Sequence, residues 1–354
     1  MGRIQVAVLG ATGMIGQRFA QMLEDHPRFE IEGLYASERS EGRRLAEALR
    51  VRDHVYREET LETRIRAMDL DAVAANCRIA FSGLPSDLAG PTETALAAKG
   101  VAVFSNAGAH RMDDRVPIVV PEANPEHMEA VRDQPSYSAG GFIVTNANCS
   151  TTGAVMPLKA IAGVYPLKRV FISTYQALSG AGYPGVPSLD AVGNVVPYIG
   201  GEEEKMESEL GKILGGYTDG GFAPAGPRVV ASCARVPVVD GHVESLAIEA
   251  DADMDAETVR EALRGFRGEP QRLGLPSAPD APIIVREEDD RPQPVLDALA
   301  GTPWRARGMA CTVGRVRGGG DIVKLFLLSH NTLRGGAGGS VLNAELADAM
   351  GLLR

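Results

Sequence analysis

Cys149 is the residue whose surroundings most clearly suggest chemistry. It lies in the segment Asn-Ala-Asn-Cys-Ser-Thr-Thr-Gly at 146–153, between a predicted strand at 142–145 and a stretch with apolar residues at helical spacing. A cysteine at this turn lies at a helix N-terminus, where the helix dipole and backbone N–H groups stabilise a thiolate. We therefore predict that Cys149 is a nucleophile with a lowered thiol pKa. The other cysteines lie in apolar, strand-like segments and are predicted to be core residues: Cys77, Cys233 and Cys311.

A glycine-rich turn near the start of the chain predicts a nucleotide site. Gly10, Gly13 and Gly16 follow a predicted strand at 4–9 and open a predicted helix at 14–23. In this context the G-x-x-G-x-x-G spacing permits a tight turn, a close backbone approach to a pyrophosphate and close packing of helix on sheet. The helix N-terminus adds N–H groups and a positive dipole end. A purely structural turn is the alternative. The residues expected to contact the cofactor here are Gly10, Thr12, Gly13, Met14 and Ile15.

The turn after the second predicted strand bears on which dinucleotide binds. It reads Ser37-Glu38-Arg39-Ser40. An acidic residue at this place favours the ribose 2'-hydroxyl of NAD, whereas basic and hydroxyl residues favour the 2'-phosphate of NADP. We predict NADP, bound by Ser37, Arg39 and Ser40, because Arg39 can pair with a phosphate at two oxygens while Glu38 points outward. NAD as cofactor and a solvated turn without a ligand are the alternatives.

Strand and helix patterns define two domains. Predicted strands at 4–9, 29–36, 79–83 and 101–105 alternate with helical patterns at 14–23 and 91–99, which indicates an α/β fold with a Rossmann-type, doubly wound parallel sheet. Strand-like segments at 170–175, 229–236, 244–249 and 310–316 predict a second, α+β domain with a mixed sheet. We place the dinucleotide-binding domain at 1–149, completed by a C-terminal helix at 331–354, and the catalytic and dimerisation domain at 150–330. The Pro- and Asp-rich section 265–303 is expected to be surface loop.

Composition excludes several classes of partner. The 354 residues are 44% hydrophobic and carry a net charge of -10, from 46 acidic and 36 basic residues without a long block of either sign. This balance argues against nucleic acid or an anionic membrane as the main partner. The chain has no apolar run long enough to cross a bilayer and no signal-peptide layout, so we expect a cytoplasmic protein. Its four cysteines form no C-x-x-C pair, which argues against a zinc site or a disulfide framework.

Several motifs, taken in their order along the chain, resemble those of aspartate-semialdehyde dehydrogenases, particularly the archaeal and fungal branch. The similarity covers nearly the whole chain. The motifs are GATGMIGQR, SNAGAHRMDDRVPIVVPEANP, NANCSTTG, STYQALSGAGYPG, GEEEKME, RVPVVDGH and NTLRGGAGGSVLNAEL. Several such motifs in the family's order are far more specific than any one alone. Relatives in this family are dimers or tetramers, so a homodimer or homotetramer is implied.

The resemblance also implies roles for individual residues. Cys149 would be the nucleophile, with Asn148 beside it and Gln176 positioning the thioester. Arg235 would hold the substrate carboxylate, and His242 would exchange protons with the thiol and the oxyanion. We expect a strand at 236–239 and a turn that brings His242 to the rim. The other histidines lie in polar loops or at helix ends and are expected at the surface: His26, His54, His110, His127 and His330.

The remaining expected ligands of substrate and cofactor follow from the same resemblance. Arg111 and Lys205 would bind the phosphate. Glu203 would face the substrate ammonium group, with a register uncertain by one within Glu202-Glu203-Glu204; a solvated acidic helix face is the alternative for at least two of these three. Gly180, Gly182 and Asn331 resemble residues that close around the nicotinamide, and Gly83 and Ser179 are also expected to contact the cofactor.

The implied reaction is the NADPH-dependent reductive dephosphorylation of L-4-aspartyl phosphate to L-aspartate 4-semialdehyde, which leads to lysine, methionine and threonine. A malonyl-CoA reductase on a similar scaffold is the nearest alternative, because it shares the thioester chemistry. An N-acetylglutamyl-phosphate reductase fits less well, since its cysteine context differs. A nucleotide-binding paralogue without catalysis would be expected to lack Cys149, Gln176, Arg235 or His242, and all four are present. A thiol-dependent hydrolase would leave the glycine turn unexplained.

Overall fold

The first domain is built on a six-stranded sheet in which every neighbouring pair of strands is parallel. The computed structural model describes residues 2–353; residues 1 and 354, the outer limits of the predicted segments 1–149 and 331–354, lie outside the described residues. The strands are β1 (Ile4–Leu9), β2 (Phe29–Ala36), β3 (Ile65–Ala67), β4 (Ile79–Ser82), β5 (Ala102–Ser105) and β6 (Phe142–Thr145). Their order is β3-β2-β1-β4-β5-β6. The predicted doubly wound sheet is confirmed.

Helices cover both faces of this sheet, which explains why its strands β4, β5 and β6 are buried along their whole length rather than at alternate residues. All four residues of each of β4, β5 and β6 are buried, as expected for a parallel sheet enclosed on both sides. The helices of this part are α1 (Met14–Leu23), α2 (Leu45–Ala48), α3 (Glu58–Glu62), α4 (Leu70–Asn76) and α5 (Ser86–Ala98). The strand order reverses between β1 and β4, so a crevice opens beyond their carboxyl ends.

The second sheet is mixed, as predicted. The remaining strands are β7 (Leu167–Gln176), β8 (Gly216–Thr218), β9 (Gly221–Ala223), β10 (Arg228–Arg235), β11 (His242–Asp255), β12 (Ile283–Val285) and β13 (Cys311–Ser329). The five-stranded sheet has the order β10-β7-β11-β13-β12, and β8 pairs with β9 separately. Within the sheet, β11 is antiparallel to both β7 and β13, while the two outer pairs are parallel.

One face of the second sheet packs against helices and the other is exposed. The remaining helices are α6 (Cys149–Ala162), α7 (Ser188–Ala191), α8 (Glu202–Leu214), α9 (Ala256–Gly265), α10 (Glu269–Leu273), α11 (Pro294–Asp297) and α12 (Gly338–Ala349). Side chains of α6, α8 and α9 share a core with the inward residues of the sheet, such as Val170 and Ile172. The intervening Phe171 and Tyr175 are 44% and 41% exposed. This alternation follows from the two-residue period of a strand with one buried face.

The C-terminal helix α12 returns to the first domain. Its Val341 and Leu342 lie in the same apolar core as Phe19 of α1 and Phe81 of β4. The last helix therefore contributes to the layer of helices on the parallel sheet. None of the helices within residues 2–353 is both long and apolar enough to span a membrane.

Two local expectations are wrong. Residues 236–239 form no strand and instead connect β10 to β11 as irregular chain. The section 265–303 is not simply surface loop, because it contains α10, β12 and α11 and buries Asp297, whose carboxylate accepts hydrogen bonds from Arg291. Ion pairing allows a charged residue to be buried, so polar composition alone does not decide exposure.

Three of the histidines expected at the surface are also buried. His26, His127 and His330 are at most 1% exposed. Their ring nitrogens have partners within the protein; Nε2 of His26, for example, lies 2.7 Å from a carboxylate oxygen of Glu345. A buried imidazole is stable when its polar atoms are hydrogen-bonded, and the sequence pattern does not reveal such distant partners.

Candidate active site

A cavity of about 1170 Å³ lies beyond the carboxyl ends of the parallel strands, with walls from both domains. It is larger than the usual site for one small molecule. Most of the predicted site residues line it: Gly10, Thr12, Gly13, Met14, Ile15, Ser37, Gly83, Arg111, Asn148, Cys149, Ser179, Gly180, Gly182, Lys205, Arg235 and Asn331. The cavity thus has room for a dinucleotide and a second small molecule.

Cys149 is the first residue of α6, and Asn148 is its N-cap. The side-chain oxygen of Asn148 accepts hydrogen bonds from the backbone N–H groups of Ser150 and Thr151. Such capping satisfies N–H groups that have no partner within the helix and fixes where the helix begins. The predicted position of Cys149 at a strand-to-helix turn is confirmed.

His242, the first residue of β11, is the imidazole beside this cysteine. Its Nε2 lies 3.2 Å from Sγ of Cys149, and its Nδ1 accepts a hydrogen bond of 3.0 Å from the backbone N–H of Ala177. Because Nδ1 is an acceptor, the neutral ring carries its hydrogen on Nε2 and donates it toward the sulfur. The ring is 0% exposed rather than at the rim, so the expected exposure of His242 is wrong.

The electrostatics of this pair also differ from the prediction for Cys149. Burial, reinforced by the carboxylate of Glu202, raises the pKa of the Cys149 thiol to about 12, against the opposing effect of Arg111 and Arg235. Burial and the nearby Arg235 guanidinium lower the pKa of His242 to about 3. At neutral pH the pair is therefore a thiol and an uncharged imidazole. The predicted lowering of the thiol pKa is wrong, because burial of the thiol outweighs the effect of the helix N-terminus.

Gln176 and Arg235 end two adjacent parallel strands. They are paired in the register of β7 with β10. Arg235 lines the cavity and donates a hydrogen bond of 2.8 Å from Nη1 to the carbonyl of Ala177. Gln176 is buried and donates from Nε2 to Glu202 at 3.0 Å. The sequence predicted both residues at the site. Arg235 lines the cavity, whereas Gln176 is connected to the cavity through its hydrogen bond to Glu202.

Gly180 allows the loop after β7 to pass close to Arg235 and His242. A Cβ atom at this position would lie 2.8 Å from Nη1 of Arg235 and 3.0 Å from Cε1 of His242. Such distances are shorter than van der Waals contact, so a larger residue would displace the loop or the two side chains. This close approach explains why a glycine is suited to the position.

The acidic residue that lines the cavity is Glu202, not Glu203. Glu202 accepts hydrogen bonds from Nδ2 of Asn148 and Nε2 of Gln176, and one of its oxygens lies 3.8 Å from Nζ of Lys205. Glu203 instead accepts a hydrogen bond from the backbone N–H of Cys233 in β10. The predicted placement of Glu203 is therefore corrected by one residue. Helical spacing could have indicated this, because residues three apart share a helix face whereas residues two apart do not.

Arg111 lines the cavity but is also held firmly by the protein. Its guanidinium donates to the carbonyls of Asn146 and Asn106 and to the carboxylate of Glu209. Arginine has further N–H bonds beyond these three, so a role toward an anion in the cavity is compatible with its contacts. Sequence reasoning missed Glu209, which lies far along the chain and carries no motif signal.

The glycine turn forms the other end of the cavity. Gly10 has a φ of +78°, and a Cβ there would lie 2.8 Å from the carbonyl oxygen of Gly83. The close passage of the β1 and β4 loops therefore requires a residue without a side chain. Helix α1 begins at Met14, directly after this turn. The glycine turn and the N–H groups at the start of α1 together form a dinucleotide cradle, the arrangement that binds a pyrophosphate in such folds.

The predicted nucleotide-selecting turn and nicotinamide loops lie around the same cavity. Ser37 lines it, while among the described residues Arg39 and Ser40 lie outside the lining, in the short 3₁₀ turn Glu38–Ser40. Asn331 joins the opposite walls, because its Nδ2 donates to Oγ of Ser179 at 2.8 Å and its Oδ1 accepts from the N–H of Gly241. Asn331 thus holds two loops next to His242.

Comparisons with known proteins agree with this architecture. The family model "Semialdehyde dehydrogenase, NAD binding domain" matches residues 5–131, and "Semialdehyde dehydrogenase, dimerisation domain" matches residues 158–334. The aspartate-semialdehyde dehydrogenase of Methanothermobacter thermautotrophicus is 48% identical over 97% of this chain and 98% of its own length. That of Aspergillus fumigatus is 41% identical over 98% and 97%.

A solved structure extends the similarity to three dimensions. The crystal structure of aspartate-semialdehyde dehydrogenase with NADP from Candida albicans superimposes with a TM-score of 0.88 at 37% identity, covering 99% of this chain and all of the other. The resemblance found in the sequence motifs is therefore confirmed over both domains. The chain belongs to the aspartate-semialdehyde dehydrogenase family.

Proposed function

We propose that this chain reduces L-4-aspartyl phosphate to L-aspartate 4-semialdehyde with NADPH, releasing phosphate, through a thioester on Cys149. One observation carries the proposal: a thiol and side chains of both charges line one cavity together with the glycine turn, and a buried imidazole lies 3.2 Å behind the thiol sulfur. The names of the relatives support the same substrate.

The cradle fits a dinucleotide, because its glycines leave the backbone accessible and the start of α1 offers N–H groups to a pyrophosphate. Residues Gly10, Gly13 and Met14 would hold the pyrophosphate. We favour NADP, as in the Candida albicans relative; Ser37 and Arg39 would face the 2'-phosphate. When bound, the cofactor supplies the hydride.

The charged side chains can be assigned to the groups of the substrate. Arg235, next to the imidazole, would pair with the α-carboxylate, since its fork suits a carboxylate. Glu202 would bind the ammonium group, replacing the role first predicted for Glu203. Arg111 and Lys205 would bind the phosphate from two sides of the cavity. Asn148 and Gln176 hold Glu202 through hydrogen bonds and so fix its carboxylate.

The reaction then divides into two steps at Cys149. The sulfur attacks the acyl carbon, the C–S bond forms, the C–O bond to phosphate breaks, and the thiol proton leaves with the phosphate. Hydride addition to the thioester carbon creates an oxyanion, which Nε2–H of His242 would stabilise. Collapse breaks the C–S bond, releases the aldehyde, and leaves a thiolate that takes a proton from solvent.

A steady-state assay of the reverse reaction tests the proposal. Purified protein with L-aspartate semialdehyde and phosphate should reduce NADP, and omission of phosphate or the Cys149→Ala substitution should abolish turnover. A malonyl-CoA reductase is the alternative that shares Cys149, so malonyl-CoA with NADPH is the control. Oxidation of NADPH by malonyl-CoA with no reaction of the semialdehyde would show that the protein is a malonyl-CoA reductase. No reaction with either compound would indicate a paralogue without catalysis.

We further propose that the chain forms a homodimer through the exposed face of the second sheet. The dimerisation-domain model covers this sheet, and Phe171 and Tyr175 give its face an apolar character. Light scattering of a Tyr175→Glu variant should show a loss of association relative to the unmodified protein. A Val164→Glu variant, also at an exposed apolar residue but outside the sheet, is the control. Unchanged association in Tyr175→Glu would place the interface elsewhere.

A further inference from the structure

One face of α8 connects the cavity to the protein beneath it. Glu202, Lys205, Glu209 and Lys212 follow one another at spacings of three, four and three residues, which places them along one side of the helix. Glu202 and Lys205 line the cavity. Glu209 lies deeper and is only 2% exposed.

Glu209 binds two groups of the proposed site at once. Its Oε1 accepts a hydrogen bond of 2.9 Å from Nη1 of Arg111, and its Oε2 accepts one of 2.6 Å from the backbone N–H of Asn148. Asn148 immediately precedes Cys149 and caps α6. A single carboxylate therefore joins the arginine to the turn that carries the nucleophile.

The geometry requires a carboxylate and not merely a polar side chain. Both groups that face Glu209 are N–H donors, and each carboxylate oxygen accepts from one of them. A glutamine at this position would turn an NH₂ group toward one donor and so lose that hydrogen bond. It would also leave the guanidinium of Arg111 without the buried negative charge that balances it.

Lys212 has a different task on the same helix face. Its Nζ donates to the backbone carbonyls of Arg111, Asp113 and Val116. These contacts fix the course of the loop that follows Arg111. Lys212 does not contact the guanidinium of Arg111, whose direction is set by the hydrogen bonds that the guanidinium donates. Glu209 is the charged acceptor among these.

From these contacts we infer that Glu209 is a positioning residue that fixes Arg111 relative to Cys149, and that it acts on the phosphate step of the reaction. This inference rests on the proposed function. The phosphate-binding cation and the attacking sulfur must have a set separation when the C–O bond to phosphate breaks. The hydride step involves neither Arg111 nor the phosphate, so Glu209 should matter much less there.

The test compares Glu209→Gln with Glu204→Gln, an exposed residue of the same helix. In the phosphate-dependent reduction of NADP, Glu209→Gln should raise KM for phosphate by about tenfold or more, as expected for loss of a hydrogen bond to a charged group. KM for NADP should change less than about twofold, and Glu204→Gln should behave as the unmodified enzyme. Thermal unfolding establishes that each variant is folded.

A double-substitution cycle separates positioning from a general effect on stability. If Glu209 acts through Arg111, Glu209→Gln should change KM for phosphate by less than about twofold when Arg111→Met is already present. Effects that multiply in the double variant would overturn the inference. If Glu209→Gln fails to fold, Glu209→Asp keeps the charge and tests the same split between KM for phosphate and KM for NADP.

A second measurement needs no turnover. Inorganic phosphate should protect Cys149 from iodoacetamide, and Glu209→Gln should shift the half-protecting concentration upward by about tenfold. If the unmodified protein turns over and both phosphate measurements are unchanged in Glu209→Gln, the inference fails and the proposed function stands. If the unmodified protein shows no turnover, the proposed function fails, and the shift in protection alone decides for or against Glu209.

Discussion

Nε2 of His242 lies 3.2 Å from the sulfur of Cys149, although 93 residues separate the two in the chain. The backbone N–H of Ala177 donates a hydrogen bond to the other ring nitrogen of His242, Nδ1. In this arrangement the neutral imidazole presents a hydrogen to the sulfur, so His242 is a hydrogen-bond donor in the resting protein. It can accept a proton at Nε2 only after that hydrogen has left, which modifies the proton exchange first predicted for it.

The first prediction concerns the pH dependence of Cys149 alkylation. Burial raises the pKa of this thiol to about 12, so its thiolate fraction at neutral pH is far below that of a free cysteine. Only the thiolate reacts, and its fraction rises with pH until the pKa is passed. The rate of reaction with iodoacetamide should therefore increase about tenfold per pH unit from about pH 7 to pH 10, without a plateau.

The Cys149→Ala variant provides the background rate from the other thiols. These are buried, and they should react slowly in the folded protein. A plateau near neutral pH in the difference between the two proteins would mean that the helix N-terminus and the two arginines outweigh burial at Cys149.

The second prediction separates two neighbouring acids. Glu202→Gln should raise KM for L-aspartate semialdehyde by about tenfold or more, because the ammonium group loses a charged partner. Glu203→Gln should leave KM within about twofold, since its contact is to the backbone of Cys233 outside the cavity. The same substitution at adjacent positions controls for helix content and charge. The opposite order of effects would restore Glu203 as the substrate residue.

The correction from Glu203 to Glu202 shows which features of the site can be predicted from the sequence and which cannot. The glycine turn and the position of Cys149 follow from local pattern, because strand, turn and helix signals surround them. The facing direction of an acidic residue within a run of three depends on where α8 packs. The role of Glu209 could not be predicted for the same reason, since its partners Arg111 and Asn148 are 98 and 61 residues away in the chain.

The burial of His242 could not be predicted for a related reason. The pattern around it correctly indicated that a turn precedes a strand, and β11 begins at this histidine. Exposure, however, depends on the loops that cover the end of the strand. Asn331 and Gly180 come from distant parts of the chain and close over the turn at Gly241 and the imidazole.

The third prediction distinguishes the loss of a hydrogen bond donated by His242 from a general loss of structure. His242→Ala should lower kcat by about a hundredfold or more, as is typical for loss of a catalytic acid–base or oxyanion group. His242→Gln should retain more activity, because its NH₂ group can donate a hydrogen bond toward the sulfur. Equal losses in the two variants would show that donation from this position does not contribute.

The fourth prediction concerns the choice of cofactor. Arg39 is exposed in the turn after β2, next to Ser37 at the edge of the cavity. Arg39→Ala should raise KM for NADP by about tenfold and leave KM for NAD nearly unchanged, because only NADP carries the 2'-phosphate. Arg43→Ala, at another exposed arginine nearby, is the control. Equal changes for both cofactors would exclude Arg39 from phosphate recognition.

A thioester on Cys149 should be detectable by single-turnover kinetics. With semialdehyde and NADP but without phosphate, the protein should form about one equivalent of NADPH per site, and mass spectrometry should locate an aspartyl group on the peptide containing Cys149. Added phosphate should remove the acyl group. An NADPH burst that persists in Cys149→Ala, or an acyl group on another residue, would exclude Cys149 as the residue that carries the thioester.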